Sequence, residues 1–146
     1  MESKDSLRQK LLSATDTTRV KVRFNDTDTM GVVHFKNYMV YFDDGFVSFM
    51  NSIKNKRNIE EMIHEGLACG VKHVEITYEG SAKFGDYVIV KTRIKKIGNT
   101  SITFIHELLK ESDNSNLAKV EAVRFVLNLK TKKLMNIMDF FKYFLK

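Results

Sequence analysis

Apolar and polar residues first alternate with a period of two, over residues 18–24. In this stretch, "TRVKVRF", Val20, Val22 and Phe24 alternate with the basic residues Arg19, Lys21 and Arg23. That alternation is typical of a strand with one buried face. The pattern therefore predicts a strand here, with Val20, Val22 and Phe24 facing the core.

Between residues 38 and 53 the period changes to that of a helix. Apolar residues or glycine recur at spacings of three and four, which predicts a helix of about four turns. Met39, Val40 and Val47 lie off this stripe, so the helix is expected to be largely enclosed. The stripe itself consists of Tyr38, Tyr41, Phe42, Gly45, Phe46, Phe49, Met50 and Ile53.

A short helix is predicted next, with Asn58 as its N-cap, Glu61 in a capping box and Gly66 at its end. Four β segments follow, and their connections are too short for helical crossovers, so neighbouring strands should be antiparallel. A slip in the apolar pattern near Ala122 and Val123 predicts a β-bulge in the last strand. The four segments are residues 71–78, 86–97, 101–109 and 117–129.

This order of elements predicts an α+β fold in which five strands curve around one long helix. Cystatin-like proteins and cone-shaped α+β barrels share the pattern, so it does not choose between them. Residues 1–146 are expected to form a single domain, with an N-terminal extension over residues 1–17. The apolar segment 134–146 is expected to pack on the core, on a second subunit or over a pocket.

Composition narrows the class of protein. The 146 residues are 43% hydrophobic and 29% charged, as in ordinary globular proteins. We expect no membrane span, because no apolar run approaches the roughly 20 residues that one requires. The N-terminus has no continuous apolar stretch like that of a secretory signal. Together with the single cysteine, Cys69, this favours a cytoplasmic location.

The net charge of +6 would attract a polyanion such as nucleic acid, a membrane surface or a phosphorylated cofactor. A solvated basic surface explains the same charge without any ligand. No motif of interleaved aromatic and basic residues typical of RNA-binding domains is present, so a nucleic-acid partner is not expected.

The segment "NDTDTMGVVHF", residues 25–35, separates the first strand from the long helix and contains Asp26 and Asp28. Both aspartates could serve only as turn or cap residues, for which Asp is favoured. A metal site formed with His34 is not expected, because three ligands at this spacing match no recognised site. A catalytic carboxylate is the third interpretation.

The longer segment "RFNDTDTMGVVHFKNYMVYFDDG" resembles the signature of hot-dog-fold acyl-CoA thioesterases of the 4-hydroxybenzoyl-CoA thioesterase family. That signature runs approximately D-x-D-x-x-G-x-V before an aromatic and acidic helix. "YEGSAKFGDYVIVKTRI", residues 78–94, is similar to a second segment of the family. The resemblance implies a hot-dog fold, a five-stranded curved antiparallel sheet wrapped around one long central helix. It also implies a homodimer at least, with a homotetramer favoured, and active sites at the dimer interface.

The resemblance implies that Asp28 is the catalytic carboxylate, acting as nucleophile or as general base. The family's oxyanion donor falls on the backbone amide of Phe35, at a helix start near residues 34–36, where the helix dipole helps. Gly31 lets the chain turn tightly between them, and His34 precedes the donor. No metal and no separate cofactor are implied, since CoA is part of the substrate. The phosphates of CoA suit a basic surface, so Lys83, Lys91 and Arg93 are expected to contact such a substrate, and Tyr38 is expected to contact it as well.

Two departures from the family pattern matter. Many relatives have Tyr-His or His-His before the helix, whereas this chain has His34 followed by Phe35, and a phenylalanine side chain cannot assist catalysis. Ser81 replaces a proline of the second segment, which changes local rigidity.

The sequence therefore predicts an acyl-CoA thioesterase and leaves two alternatives open. One is a hot-dog dehydratase or hydratase, whose motif has a histidine five residues after the aspartate. Here His34 is six residues after Asp28, which counts against it. The other is a noncatalytic protein that binds acyl-CoA.

Overall fold

The structure, a computed structural model, describes residues 3–146. Residues 1 and 2 of the predicted N-terminal extension lie outside the described residues. The helices are α1 (Lys4–Ser13), α2 (Tyr38–Ile53), α3 (Ile59–His64) and α4 (Ile137–Phe144). The strands are β1 (Thr15–Lys21), β2 (Leu67–Tyr78), β3 (Tyr87–Ile97), β4 (Ile102–Lys110), β5 (Asn116–Asn128) and β6 (Lys133–Leu134).

The strands form one antiparallel sheet in the order β1-β3-β4-β5-β2, with the two-residue β6 paired to β5. The sheet curls around α2, so the predicted α+β architecture is confirmed. Helix α2 comes so near the sheet that a Cβ atom added to Gly45 would lie 2.6 Å from Cγ1 of Val90.

The predicted stripe of α2 is buried at seven of its eight positions, and Ile53 is half-buried. The exception to the predicted large enclosure is the first turn, where Met39 is 46% exposed and Val40 is 42% exposed. Val40 lines an open groove with residues 18–21 of β1, and Met39 is likewise open to solvent. The helix therefore has one open side near its start.

The first strand differs from the prediction at both ends. It begins earlier, at Thr15, where polar residues give no apolar alternation. Phe24 does not face the core: it begins a single 3-10 turn over Phe24–Asp26 and is 77% exposed. The inward orientation predicted for Phe24 is therefore wrong. The cause is local, since the carboxylate of Asp26 accepts a hydrogen bond from the backbone N–H of Arg23 and bends the chain out of the sheet.

The predicted bulge near Ala122 and Val123 is also wrong. From Ala118 to Val126 the residues of β5 keep their alternation, with Ala122 and Arg124 both buried on the same face. The irregularities lie elsewhere: at Leu117, in the pairing of β5 with β4, and in the partner strand β2 between Val71 and His73. Arg124 explains the error, because a charged residue at an inward position resembles a shift of the apolar phase.

Both terminal segments pack on the core. Most of the predicted extension forms α1 and the start of β1, and Leu7 and Leu11 of α1 are buried. Segment 134–146 forms α4 over most of its length, and five of its side chains are buried in the core, which is the first of the three placements expected for it. None of the helices within residues 3–146 has the length and apolar character needed to cross a membrane.

The buried apolar residues form two clusters, one toward each end of α2. The proximal core, at the start of α2, contains Val22, Val33, Tyr38, Tyr41, Phe42, Ala82, Val88, Val90, Leu108, Leu117, Ala118, Val120 and Ala122. The distal core, at the end of α2, contains Leu7, Leu11, Phe46, Phe49, Met50, Ile59, Met62, Leu67, Ile94, Ile97, Ile102, Phe104, Val126, Ile137, Met138, Phe140, Phe141 and Phe144.

Candidate active site

The motif loop, residues 24–37, lies beside the proximal core and is organised around the carboxylate of Asp26. This side chain is 3% exposed. Its Oδ2 accepts hydrogen bonds from the backbone N–H of Arg23 at 3.0 Å and from the hydroxyl of Tyr41 at 2.9 Å, and its Oδ1 accepts one from the Arg23 guanidinium at 3.2 Å. Burial alone would raise the pKa of Asp26, but these donors outweigh it and lower the pKa below its ordinary value.

The backbone carbonyl of Asp26 also ties the loop to the helix start. It accepts hydrogen bonds from Nδ2 of Asn37 at 2.7 Å and from the backbone N–H of His34 at 2.9 Å. With its carboxylate and carbonyl both engaged, Asp26 makes the contacts of a structural residue. Asn37 was not predicted to contribute, and nothing in the sequence pattern marks it.

Asp28 differs from Asp26 in how its carboxylate is used. The side chain is half-buried, and only Oδ1 is engaged, accepting from the backbone N–H of Met30 at 2.8 Å. Within residues 3–146, Oδ2 of Asp28 makes no hydrogen bond. One oxygen therefore fixes the orientation of the carboxylate while the other can meet a ligand.

Gly31 closes the turn after Asp28. Its N–H donates to the carbonyl of Asp28 at 3.0 Å, and the N–H of Asp28 donates to the carbonyl of Val32 at 2.9 Å. Gly31 has φ +77°, a conformation that residues with a Cβ atom rarely adopt. Nothing lies within 4 Å of the position a Cβ would occupy, so backbone conformation, not space, favours glycine here.

The helix start predicted near residues 34–36 begins with a 3-10 turn, Phe35–Asn37, that leads into α2. Nδ1 of His34 accepts from the backbone N–H of Lys36 at 3.3 Å and caps the turn. With Nδ1 as acceptor, Nε2 carries the proton of the neutral ring. In the described part of the chain the backbone N–H of Phe35 makes no hydrogen bond. It is therefore an unused donor at the positive end of the helix dipole.

The ring of Phe35 is 63% exposed and stacks on His34 with centroids 4.7 Å apart. The hydroxyl of Tyr78, at the end of β2, donates to the carbonyl of Phe35 at 3.2 Å. Tyr78 is 45% exposed. A contact across 43 residues of sequence leaves no local signal, so its link to the motif loop could not be predicted.

Tyr38 is buried in the first turn of α2, between the rings of Tyr41 and Tyr78 at 5.9 and 5.7 Å. Among the described residues its hydroxyl lies near the backbone of Ala82 but has no partner of acceptable hydrogen-bond geometry. Burial raises the pKa of Tyr38 above its ordinary value. This hydroxyl is an unsatisfied polar group next to the motif loop.

The basic residues predicted to contact substrate fall into two places. Lys83 forms an isolated β-bridge with Val32 and so lies directly beside the motif loop. Lys91 and Arg93 lie on β3, opposite Thr17 and Thr15 of β1. Their side chains point to the face of the sheet opposite α2, because strand residues alternate and the neighbouring Thr92 faces the helix. The structure brings Lys83 to the loop and leaves Lys91 and Arg93 apart from it.

Large apolar side chains surround the loop on its solvent side. Phe24 packs edge to face on Phe84 at 5.8 Å, and Phe84 is 60% exposed. Met30 is 78% exposed. An exposed apolar surface of this kind is typical of a site that contacts a ligand or a second protein.

The loop therefore combines two functional groups, a carboxylate with one unengaged oxygen and an unused backbone donor at a helix start. Such a pair can activate water, or attack directly, and can stabilise an oxyanion. Residues 3–146 contain no group of three or more His, Cys, Asp or Glu side chains arranged to hold a metal ion.

The sequence matches the Thioesterase-like superfamily over residues 22–145. Among characterised proteins, the acyl-CoA thioesterase YbgC of Haemophilus influenzae is 27% identical over 95 residues, which are 64% of this chain and 68% of that protein.

Two solved structures share the fold. The DHNA-CoA thioesterase of Staphylococcus aureus superposes with a TM-score of 0.80 at 19% identity, over 88% of this chain and 85% of that one. The 1,4-dihydroxy-2-naphthoyl-CoA thioesterase of Synechocystis superposes with a TM-score of 0.79 at 20% identity, over 90% of this chain and 96% of that one. The predicted hot-dog fold is thereby confirmed. Because the family match spans nearly all of the chain, the predicted family is confirmed too, and the protein belongs to the Thioesterase-like superfamily.

Proposed function

We propose that this protein, a thioester hydrolase by its family, hydrolyses the thioester of an acyl-CoA to a free acid and CoA, with Asp28 as nucleophile or general base. The observation that carries the proposal is the contrast between two neighbouring carboxylates. Asp26 has both oxygens engaged, whereas Oδ2 of Asp28 is unengaged. The name of the Haemophilus relative, an acyl-CoA thioesterase, supports the substrate class.

In the general-base route, Oδ2 of Asp28 removes a proton from a water molecule as its oxygen attacks the thioester carbonyl carbon. The carbonyl oxygen becomes an oxyanion and accepts a hydrogen bond from the N–H of Phe35. When the oxyanion collapses, the carbon–sulfur bond breaks and the sulfur leaves as the thiolate of CoA. The proton held by Asp28 passes to this thiolate, which regenerates the carboxylate. The acid and CoA are released, and no separate cofactor takes part.

In the nucleophilic route, Oδ2 of Asp28 itself attacks the carbonyl carbon and the CoA thiolate leaves, which gives a mixed anhydride between Asp28 and the acyl group. Water then hydrolyses the anhydride and regenerates the carboxylate. Both routes use the same oxygen of Asp28 and the same donor.

The other residues of the loop position these two groups. Gly31 sets the turn, and His34 caps the helix start through its Nδ1. Lys83 offers a positive charge for a phosphate of CoA. The contact of Tyr38 with substrate stays a prediction, and the burial of its hydroxyl gives it no support. The contacts of Lys91 and Arg93 with substrate stay a prediction, and their position on the opposite face of the sheet gives it no support.

We also propose a homodimer at least. Among residues 3–146, strand β2 pairs only with β5 and strand β1 only with β3, so both edges of the described sheet are open in one chain. The exposed apolar side chains around the motif loop give a second surface that a partner subunit could cover. Light scattering should give at least twice the chain mass of 16.9 kDa, and a stable monomer at micromolar concentration would contradict the dimer. The homotetramer and the cytoplasmic location stay predictions.

The test of the proposed activity is thiol release from a panel of acyl-CoAs by the wild type and by Asp28→Asn. Loss of a general base commonly costs at least about 100-fold in turnover, so we expect at least that loss on the best substrate. Thermal stability should change by no more than about 1 kcal/mol, because asparagine keeps the turn contact.

The chain offers a matched control at Asp113, whose Oδ1 accepts from the backbone N–H of Ser115 at 2.9 Å, two residues on. This is the contact that Asp28 makes with Met30. Asp113→Asn makes the same chemical change in a similar turn, and its turnover should equal that of the wild type. If Asp28→Asn keeps most of its turnover, Asp28 is only a turn residue. If no acyl-CoA in the panel releases thiol, the activity itself is wrong for these substrates.

A further inference from the structure

A second concave site lies at the other end of α2, away from the motif loop. It is a groove of about 930 Å³ between α1, the end of α2 and the end of α4. Binding sites for small molecules commonly have volumes of roughly 300–1,000 Å³. Its lining residues are Ser3, Leu7, Lys10, Leu11, Ala14, Ser52, Ile53, Lys54, Asn55, Lys142, Leu145 and Lys146.

The floor of the groove is apolar. One face of α1 lines it along the whole helix. Leu7 and Leu11 in the middle of this face are only 6% and 2% exposed, so the apolar side chains most open to a ligand are those of Ala14, Ile53 and Leu145. At 1.5 Å per residue the ten-residue helix is roughly 15 Å long, a length that suits an extended alkyl chain. Ile53 and Leu145, both half-buried, close the opposite side.

The rim of the groove is basic. Lys10, Lys54, Lys142 and Lys146 line it and are all exposed, and no Asp or Glu is among the described residues that line it. Within the described part of the chain none of these four lysines forms an ion pair, whereas Arg19, Arg23, Arg57, Lys95 and Arg124 do. The rim therefore carries four positive charges over an apolar floor.

A simpler explanation accounts for part of this pattern. Helices α1, α2 and α4 all end at the groove, and lysines near helix C-termini compensate the helix dipole. That explanation predicts a lysine near the C-terminus of each helix independently of the other helices. It does not predict that an open apolar surface lies between them.

We propose that the groove binds the anion of an unbranched fatty acid, with its alkyl chain along α1 against Ala14, Ile53 and Leu145 and its carboxylate among the rim lysines. Apolar burial stabilises the chain and charge complementarity selects the carboxylate. The site has no residue in common with the motif loop, so the proposal does not depend on the proposed hydrolysis. It adds a ligand site to the thioesterase fold.

Titration of the protein with dodecanoate below its micelle concentration tests the site, with amide chemical shifts in NMR spectra to locate it. We expect shifts concentrated at Lys10, Leu11 and Leu145. Binding should be at least tenfold tighter than that of dodecanol, which has the same chain without the charge. Shifts confined to the motif loop would show product-like binding there and would overturn the proposal, as would equal affinity for dodecanol or no binding.

The double variant Lys10→Glu/Lys142→Glu should weaken dodecanoate binding at least tenfold. Its matched control is Lys72→Glu/Lys119→Glu, which makes the same change in net charge at two exposed lysines outside the groove and should bind as the wild type does. Equal weakening in both variants would mean that only overall charge matters, and the site would be rejected.

Two further measurements separate a fatty acid from larger occupants. If the protein binds vesicles containing anionic phospholipid and does not bind monomeric dodecanoate, the groove is a membrane-docking surface. If the groove variant without ligand has a smaller mass by light scattering than its control, the groove is an interface between copies of the chain. Either result overturns the proposal.

Discussion

The two ends of α2 are stabilised in different ways. At its start, the buried carboxylate of Asp26 accepts hydrogen bonds from Arg23 and Tyr41. Apolar side chains around the motif loop remain exposed. At its end, α1, α3 and α4 join the sheet in the distal core, which contains most of the fully buried phenylalanines.

The difference separates a part of the fold that is held by apolar burial from a part that is held by hydrogen bonds beside the groups we propose to react. Burial of apolar surface is non-directional, so the distal core can hold the chain together with many interchangeable contacts. A reactive carboxylate needs a fixed orientation, which hydrogen bonds of defined geometry provide. The motif loop is therefore held by a few specific bonds, and the rest of its surface remains open.

The largest expected effect tests the distal core. Phe49 is 0% exposed in the distal core, and Phe49→Ala should lower the free energy of unfolding by about 3–5 kcal/mol, because it removes buried surface and leaves a cavity. Phe24→Ala, the same change at a residue of the motif loop that is 77% exposed, should change it by no more than about 0.5 kcal/mol. Urea unfolding of both variants measures the difference. Similar losses would mean that the two ends do not differ as described.

An intermediate effect is expected from His106, which lies between the two cores. The side chain is 0% exposed, with Nδ1 2.8 Å from Oγ1 of Thr92. Burial, helped by the positive charge of Arg124, lowers the pKa of His106 to about 3. In the unfolded chain the imidazole of His106 binds a proton with its ordinary pKa of about 6.5. In the folded chain it stays neutral until the pH approaches about 3. The stability that the neutral His106 contributes is therefore fully present above about pH 6.5. As the pH falls from about 6.5 toward 3, the free energy of unfolding decreases by up to about 1.4 kcal/mol per pH unit.

Urea unfolding between pH 7 and pH 5 measures this slope, and His106→Gln should flatten it. The lowered pKa of Asp26 acts in a separate range, because its contribution is complete above about pH 4 and is lost only as the pH falls further. An unchanged slope in His106→Gln would show that another group titrates on unfolding in this range.

The smallest effect compares two tyrosines of the first turns of α2. The hydroxyl of Tyr41 donates to Asp26, whereas that of Tyr38 has no partner within the described residues. Tyr41→Phe should lower the free energy of unfolding by about 1 kcal/mol, and by more if no other donor replaces the lost hydrogen bond to Asp26. Tyr38→Phe should cost nothing measurable or should stabilise the protein, because it removes an unsatisfied buried group. Equal costs in urea unfolding would contradict the assigned hydrogen bonding.

Elements with a strong period could be predicted from the sequence. The apolar stripe identified α2 with its correct limits, and alternation identified β2 to β5. The prediction failed where the pattern was weak or misleading. The start of β1 consists of polar residues, and Arg124 occupies an inward position that an apolar residue would normally fill.

Only part of the motif loop could be predicted, because a sequence motif records only residues that lie close together in the chain. Asp28, Gly31 and the helix start lie within ten residues of one another in sequence, so a motif could place them together. Tyr78 and the groove depend on contacts between segments far apart in the chain. No local pattern contains such contacts, because they arise only when the strands and helices pack.

Gly45 links the position of α2 to the geometry of the motif loop. A Cβ atom at this residue would lie 2.6 Å from Cγ1 of Val90 and 2.8 Å from Oγ1 of Thr92. Glycine here acts as a spacer that sets how near the helix lies to β3. A larger side chain would push out the half of the helix that begins at the motif loop, and the N–H of Phe35 would move relative to Asp28. The alignment of the two groups proposed to act on the substrate thus depends on the absence of one methyl group two turns along the helix.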